Sequence, residues 1–270
     1  MLDVLAMARL AEAADGVSSL DEATTLAIRN HPEMARIWGD VRGFGLLIGE
    51  ELTLLVMPHE RGTGLGRRLL LQAPEEARRA WSHGDHPAAR ALAASHGWTA
   101  ARELWVMRRG ASVPLPAARM PAGVSIRSFR PGDEEELLRV NTAAFADHPE
   151  QGRLDVAGLR ERMAEPWFSA AGLVTAWDES SGRMLGFHWT KQHDARHGEV
   201  YVVAVDPAAQ GRGVGRLVTA AGLEHLISLG VSEIVLYVEA DNVAALRLYE
   251  GIGFGHAASD THVQYRRAGR

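Results

Sequence analysis

Apolar and polar positions alternate with two different periods along this chain, and the change between them is sharpest over residues 199–215, EVYVVAVDPAAQGRGVG. β-Branched and aromatic residues crowd 200–205, which predicts a strand. Asp206-Pro207 ends it. A glycine-rich turn, Gln210-Gly211-Arg212-Gly213-Val214-Gly215, then leads into a helical pattern over 215–229. A strand that delivers glycines to a helix start presents bare backbone N–H groups, and the helix dipole adds partial positive charge at the same place. Such a turn suits a phosphate-bearing ligand.

The same patterning predicts helices over 2–14 and 20–30, with a turn at Asp15-Gly16, and two strands within 43–56 joined near Gly49-Glu50. Arg61-Gly62-Thr63-Gly64-Leu65-Gly66 then precedes a helix over 67–72. A helix over 87–95 and a strand over 102–107 follow. Residues 109–123 shift to Pro, Ala and Ser, which reads as a linker. Beyond it come a strand over 124–129, a helix capped by Asp133 and running to about residue 145, and a helix over 154–165. Strands over 173–177 and 184–191 are joined by Ser180-Ser181-Gly182. After the opening strand and turn, a strand over 233–239, a helix over 242–250 and a last strand near 261–266 complete the chain. This is the α/β class with a mixed sheet, in two domains: 1–110, a linker over 111–122, and 123–270.

The two halves repeat each other. Pro58, Gly62, Gly64 and Gly66 recur at one constant offset as Pro207, Gly211, Gly213 and Gly215, and Glu50 falls on Glu199 at that offset. Asp85-His86-Pro87-Ala88-Ala89 resembles Asp241-Asn242-Val243-Ala244-Ala245, and Gly97-Trp98 echoes Gly253-Phe254. In this alignment Ala93 stands where the second half has Tyr249.

Composition narrows the partners. Of the 270 residues 46% are apolar and 23% charged, and a net charge of −5 argues against wholesale binding to nucleic acid. No run of about 18 apolar residues suits a membrane span, and the first residues read as a helix with early acids rather than a signal peptide. The absence of cysteine excludes disulfides, zinc–thiolate sites and a thiol nucleophile. A cytoplasmic, monomeric protein is expected. His188, His193 and His197 invite a metal reading, but they lie in a strand and a polar loop with no third ligand at hand, so no metal is expected.

The glycine turn after a strand resembles the acyl-CoA pyrophosphate loop of the GNAT acetyltransferases, and Asp241-Asn242-Val243-Ala244-Ala245-Leu246-Arg247-Leu248-Tyr249-Glu250-Gly251-Ile252-Gly253-Phe254 resembles that superfamily's second signature. No Lys-Ser/Thr closes the loop as in a P-loop. Gly186-Phe187-His188-Trp189-Thr190-Lys191, together with residues 141–152, narrows the likeness to the mycothiol synthases, tandem-GNAT enzymes that acetylate a cysteinyl-glucosaminyl-inositol; it is dense over 123–255 and looser before.

The resemblance implies two tandem GNAT folds, acetyl-CoA as cosubstrate, Glu199 as general base and Tyr249 as the acid that protonates the leaving thiolate. It implies acetyl-CoA contacts at Val203, Ala204, Val205, the loop from Gln210 through Gly211, Arg212, Gly213, Val214 and Gly215 to Arg216, and Asn242, Val243, Ala244, Ala245, Leu246 and Arg247. In the first domain the matching positions are Leu54, Leu55, Val56, Gly62, Thr63, Gly64, Leu65, Gly66 and Arg67, with Arg61 and Arg68 as further phosphate partners. Glu22, Glu150, Lys191, Glu199 and Tyr237 are implied as acceptor contacts. With Ala93 in place of the acid, the first domain is expected to hold acetyl-CoA without turning it over. Acetylation of another small amine or of a peptide N-terminus, and a non-catalytic acyl-CoA-binding module, stay open at this point.

Overall fold

Acidic caps start the chain's first helices. In the computed structural model, which describes residues 2–146, 152 and 154–268, the Asp3 carboxylate accepts from the N–H of Ala6 to open α1 (Val4–Asp15), and Asp21 accepts from Thr24 to open α2 (Glu22–Asn30). Gly16, left-handed at φ 71°, ends α1. Strands β1 (Ala35–Asp40), β2 (Gly43–Ile48) and β3 (Glu51–Val56) form an antiparallel meander, followed by α3 (Leu65–Leu71), β4 (Arg79–Ser82), α4 (Pro87–Ser95) and β5 (Trp98–Gly110). The second half runs β6 (Val124–Ser128), α5 (Glu134–Ala144), α6 (Val156–Met163), β7 (Leu173–Asp178), β8 (Met184–Gln192), β9 (His197–Val205), α7 (Val214–Ser228), β10 (Glu233–Glu239), α8 (Val243–Glu250) and β11 (Gly255–Arg267).

Two compact units divide this chain. The first takes Met1–Trp105, Glu239–Asp241 and Ala257–Arg270; the second takes Val106–Val238 and Asn242–His256. They differ from the contiguous segments 1–110 and 123–270: residues 106–122 fall in the second unit, and 239–241 and 257–270 in the first. The last strand, β11, lies in the first unit, antiparallel to β4 with Val263 opposite Ser82. Its Val263 and Tyr265 join Leu47, Leu52, Trp98 and Ala93 in a core there, and α1 packs Met7 and Ala11 over Phe44, Leu46 and Leu55 on a second cluster. β5 runs through residues 109 and 110, which the sequence assigns to a linker: the Arg109 side chain is buried and donates from Nε to the Ile252 carbonyl at 2.8 Å. β1 and β4 add to the strands that the sequence pattern predicts. β1 buries little of its length and β4 is four residues long, so neither carries a readable period.

In the second unit the strands lie in the order β10-β9-β8-β7-β6, antiparallel except for β9 beside β10. Leu137, Val140 and Leu159 from α5 and α6 cover one face with Phe187, Trp189, Val202 and Ala204, while Val214, Leu217 and Val218 of α7 cover Ala176 and Leu185 on another cluster. Asp133 does not cap α5 with its side chain; its carboxylate is taken by the N–H of Arg130 and the guanidinium of Arg127.

Candidate active site

Two irregularities in β9 build the site. Its parallel pairing with β10 extends only to Val200 opposite Leu236, although β9 runs on to Val205 and β10 to Glu239. The strands part there, and Val203, Ala204 and Val205 lie past the parting, just before the glycine turn. Against β8, Trp189 stands opposite Val202 but Thr190 opposite Val200, so Tyr201 is an extra residue, a β-bulge. The bulge resets the alternation: Tyr201 packs with Trp189 and Trp167, at 5.5 and 4.8 Å between ring centroids, instead of pointing to the opposite face from Val202.

Below the bulge, Lys191 and Glu199 stand directly opposite each other across β8 and β9. The Lys191 ammonium lies 4.8 Å from the Trp167 ring centroid and 5.4 Å from that of Tyr201. Glu199 is buried, 7% exposed, and its Oε2 is 2.6 Å from Nε2 of His193. The sequence offers His193 only as a possible ligand, not as a partner of Glu199. The signal was available: a His six residues before a strand Glu, across a polar turn. The three histidines diverge, since His188 is fully buried with Nδ1 3.1 Å from the Val218 carbonyl and His197 meets Asp194 at 2.8 Å. His193 also lines a cavity of about 590 Å³ with Trp167, Phe168, Ser169, Asp194 and His225.

At the far end of β9, Asp206 starts the turn, accepting from Ala208 and paired with Arg139. Gly211 and Gly213 adopt φ of 76° and 83°, and Gly213 occupies the cap position of α7 with no side chain on the helix's free N–H groups. A Cβ on Gly215 would meet Val205 at 3.4 Å, an ordinary contact, so α7 packs against the strand end here. Gln210, Arg212 and Arg216 are exposed around the turn. Asn242 caps α8 by accepting from Ala245; Val243, Ala244 and Arg247 lie on its exposed side and Leu246 is half-buried. Tyr249 is buried, 8% exposed, edge-on to Phe254, and burial pushes its phenol up to about 12. Tyr237 is 46% exposed on β10. Glu150 lies outside the described residues, and Glu22 belongs to the first turn of α2 in the first unit.

The first unit repeats the plan with three changes. β3 pairs with β4 only through Glu51 and Leu52, leaving Leu54, Leu55 and Val56 past the parting, and Gly62 and Gly64 take φ of 78° and 80° before Leu65, Gly66 and Arg67. Thr63 bonds back to the Glu60 carbonyl. Arg61, however, is not held out for phosphate: its guanidinium takes both Asp15 oxygens at 2.7 Å and its Nε donates to Val56. Glu50 sits in the turn between β2 and β3, its side chain 57% exposed, because that hairpin is shorter than β8–β9. Ala93 does match Tyr249, each standing seven residues past the capping residue of its helix, His86 or Asn242.

Comparison with known proteins agrees with this plan. Residues 139–254 match the Acetyltransferase (GNAT) family. A mycothiol acetyltransferase of a Nocardioides species is 56% identical, covering 98% of this chain and 96% of the relative. That of Thermobispora bispora is 48% identical over 98% and 95%. Among solved structures, a tandem GNAT protein from the clavulanic acid biosynthesis pathway superposes with a TM-score of 0.68 at 18% identity, covering 95% of this chain and 91% of its own. A GCN5-related N-acetyltransferase from Sphaerobacter thermophilus does so at 0.68 and 23%, covering 98% and 93%.

Proposed function

This chain belongs to the mycothiol acetyltransferase family of GNAT enzymes, and from that premise we propose that its second unit transfers the acetyl group of acetyl-CoA to the cysteinyl amine of a cysteinyl-glucosaminyl-inositol, giving mycothiol in the last step of its synthesis. The observation that carries the reading is the parting of β9 from β10 beside Glu199, with the glycine turn at the other end of the same strand. Backbone groups of Val203, Ala204 and Val205 pair with the pantetheine amides and polarise the thioester carbonyl. The free N–H groups of Gly211, Gly213 and the start of α7 hold the pyrophosphate.

Overall, an ammonium and a thioester become an amide, a thiol and one released proton. Glu199, buried on the strand next to the parting, takes the proton that frees the amine for attack. Tyr249 stays protonated at every physiological pH, since burial pushes it up to about 12, and gives its proton to the departing thiolate; the proton lost by the new amide nitrogen makes up the balance. Lys191 and Tyr237, with Glu150, contact the polyhydroxylated acceptor, whose sugar suits an aromatic wall such as Trp167 and Phe168.

The first unit binds a second acetyl-CoA along Leu54, Leu55, Val56 and its glycine turn without turning it over, because Ala93 supplies no acid. The test of the acceptor is turnover of acetyl-CoA with the desacetyl cysteinyl-glucosaminyl-inositol beside a panel of plain amines. A preference for the sugar-linked amine is expected. Equal or faster reaction of the plain amines removes the mycothiol assignment and leaves the acetyltransferase.

A further inference from the structure

We infer that His193 is a positioning residue for Glu199; the inference rests on Glu199 being the base. Its Nε2 is 2.6 Å from Glu199 Oε2, and this is the carboxylate's one side-chain partner among the described residues. One oxygen is therefore tethered and the other is left for the amine.

The ring is held by a turn that braces itself. The N–H of His193 donates to the His197 carbonyl at 2.9 Å, closing the end of β8–β9. Asp194 accepts from the N–H groups of Arg196 and His197 and meets the His197 ring. The first unit has no counterpart: its shorter hairpin puts Glu50 in the turn itself, where no histidine neighbours it in sequence. The longer hairpin thus occurs in the unit that retains the buried carboxylate and the tyrosine.

His193 also joins that carboxylate to solvent. Its side chain is 39% exposed, against 9% for Glu199, and it lines the open cavity beside Trp167 and Phe168. The tether therefore runs from the buried carboxylate to the wall of the cavity.

Other charges face the pair from each neighbouring element. Lys191 stands opposite Glu199 on β8, Asp194, Arg196 and His197 lie on the turn, and Glu233 of β10 stands opposite His197. From α7 comes His225, which burial keeps on the neutral side. Residues 166–169 bring no charge. His193 is thus the group that links Glu199 to the cavity.

The test compares His193→Ala, His193→Gln and Glu199→Gln in the full chain, with acetyl-CoA affinity and thermal unfolding measured on each. Glutamine keeps a donor for the carboxylate and alanine does not. His193→Ala is expected to bind acetyl-CoA as the unaltered protein does and to lose about tenfold to a hundredfold in kcat, at the low end of acid–base effects, with part of the rate restored by added imidazole. His193→Gln is expected to recover most of that loss. His193→Ala within threefold of the unaltered enzyme while Glu199→Gln is inactive, or a loss in His193→Gln as large as in His193→Ala, overturns the inference. An active Glu199→Gln instead removes the base on which the inference stands.

Discussion

Lys191 and Glu199 are cross-strand partners, yet the ammonium lies over the Trp167 and Tyr201 rings while the carboxylate is bonded to His193. A directly opposed Lys–Glu pair on a strand surface would ordinarily be read as a structural ion pair. Here the cation is set against aromatic faces and the acid against an imidazole, so an acid and a cation share one pocket in separate roles.

Replacing Glu199 by Gln keeps the shape and the contact with His193 but removes the base. The expected loss in kcat is about 10²–10⁴-fold, with the KM for acetyl-CoA changed little, since the glycine turn lies at the opposite end of β9. Steady-state kinetics across pH check this. A loss under threefold at every pH refutes the role.

Tyr249→Phe isolates one oxygen. The ring is buried edge-on to Phe254, so the apolar packing of α8 survives the change. Turnover should fall by about tenfold to a thousandfold while the acetyl-CoA dissociation constant stays within about twofold. The reverse pattern, weaker binding at unchanged kcat, makes Tyr249 a packing residue.

The glycine turns allow the two units to be separated. Gly64 and Gly213 have φ of 80° and 83°, where a β-branched residue is strained by about 1–2 kcal/mol. Gly213→Val should raise the KM for acetyl-CoA about fivefold to thirtyfold, the kinetic equivalent of that strain. Gly64→Val should leave kcat within twofold and remove one of two acetyl-CoA binding events seen by calorimetry of the full chain. The full chain is required, because the first unit includes β11 and a fragment ending near residue 110 lacks it. A single event in the unaltered protein rejects the second site. The Arg61–Asp15 pair is what would close it.

What was readable in the sequence follows the range of the forces involved. The glycine turn and α7 announce themselves because φ near +80° admits few residues but glycine, and because the strand before them is a continuous apolar run. The bulge at Tyr201 leaves no such mark: tyrosine and valine are both strand formers, and only the partner register shows that one of them is extra. The placement of β11 beside β4 is non-local, a pairing of Val263 with Ser82 that no window of neighbouring residues contains. His193 looked like a loop residue for the same reason, its partner being across the hairpin.

His188 provides a pH test free of catalysis. Its ring is completely buried against Gly222 of α7, where a Cβ would come within 2.0 Å of Nδ1, and Nε2 has no hydrogen-bond partner among the described residues. Burial drives its pKa down to about 4, against about 6.5 in an unfolded chain. The folded state therefore holds the ring neutral while the unfolded state binds a proton between these values. Its contribution is fully present above pH 6.5 and is lost as pH falls through about 4, by up to roughly 3 kcal/mol. Carboxylates such as Asp178 and Asp194, held near 2 by their hydrogen bonds, add acid sensitivity mainly below pH 4. His188→Gln should accordingly lower stability at neutral pH but flatten the fall between pH 6.5 and 4.5 by up to about 1.4 kcal/mol per pH unit, the slope of a single proton. Urea unfolding of both proteins at several pH values in that window measures the difference. Parallel slopes would mean that the histidine takes up its proton inside the fold, with the packing of α7 on β8 yielding to a charge at Nε2.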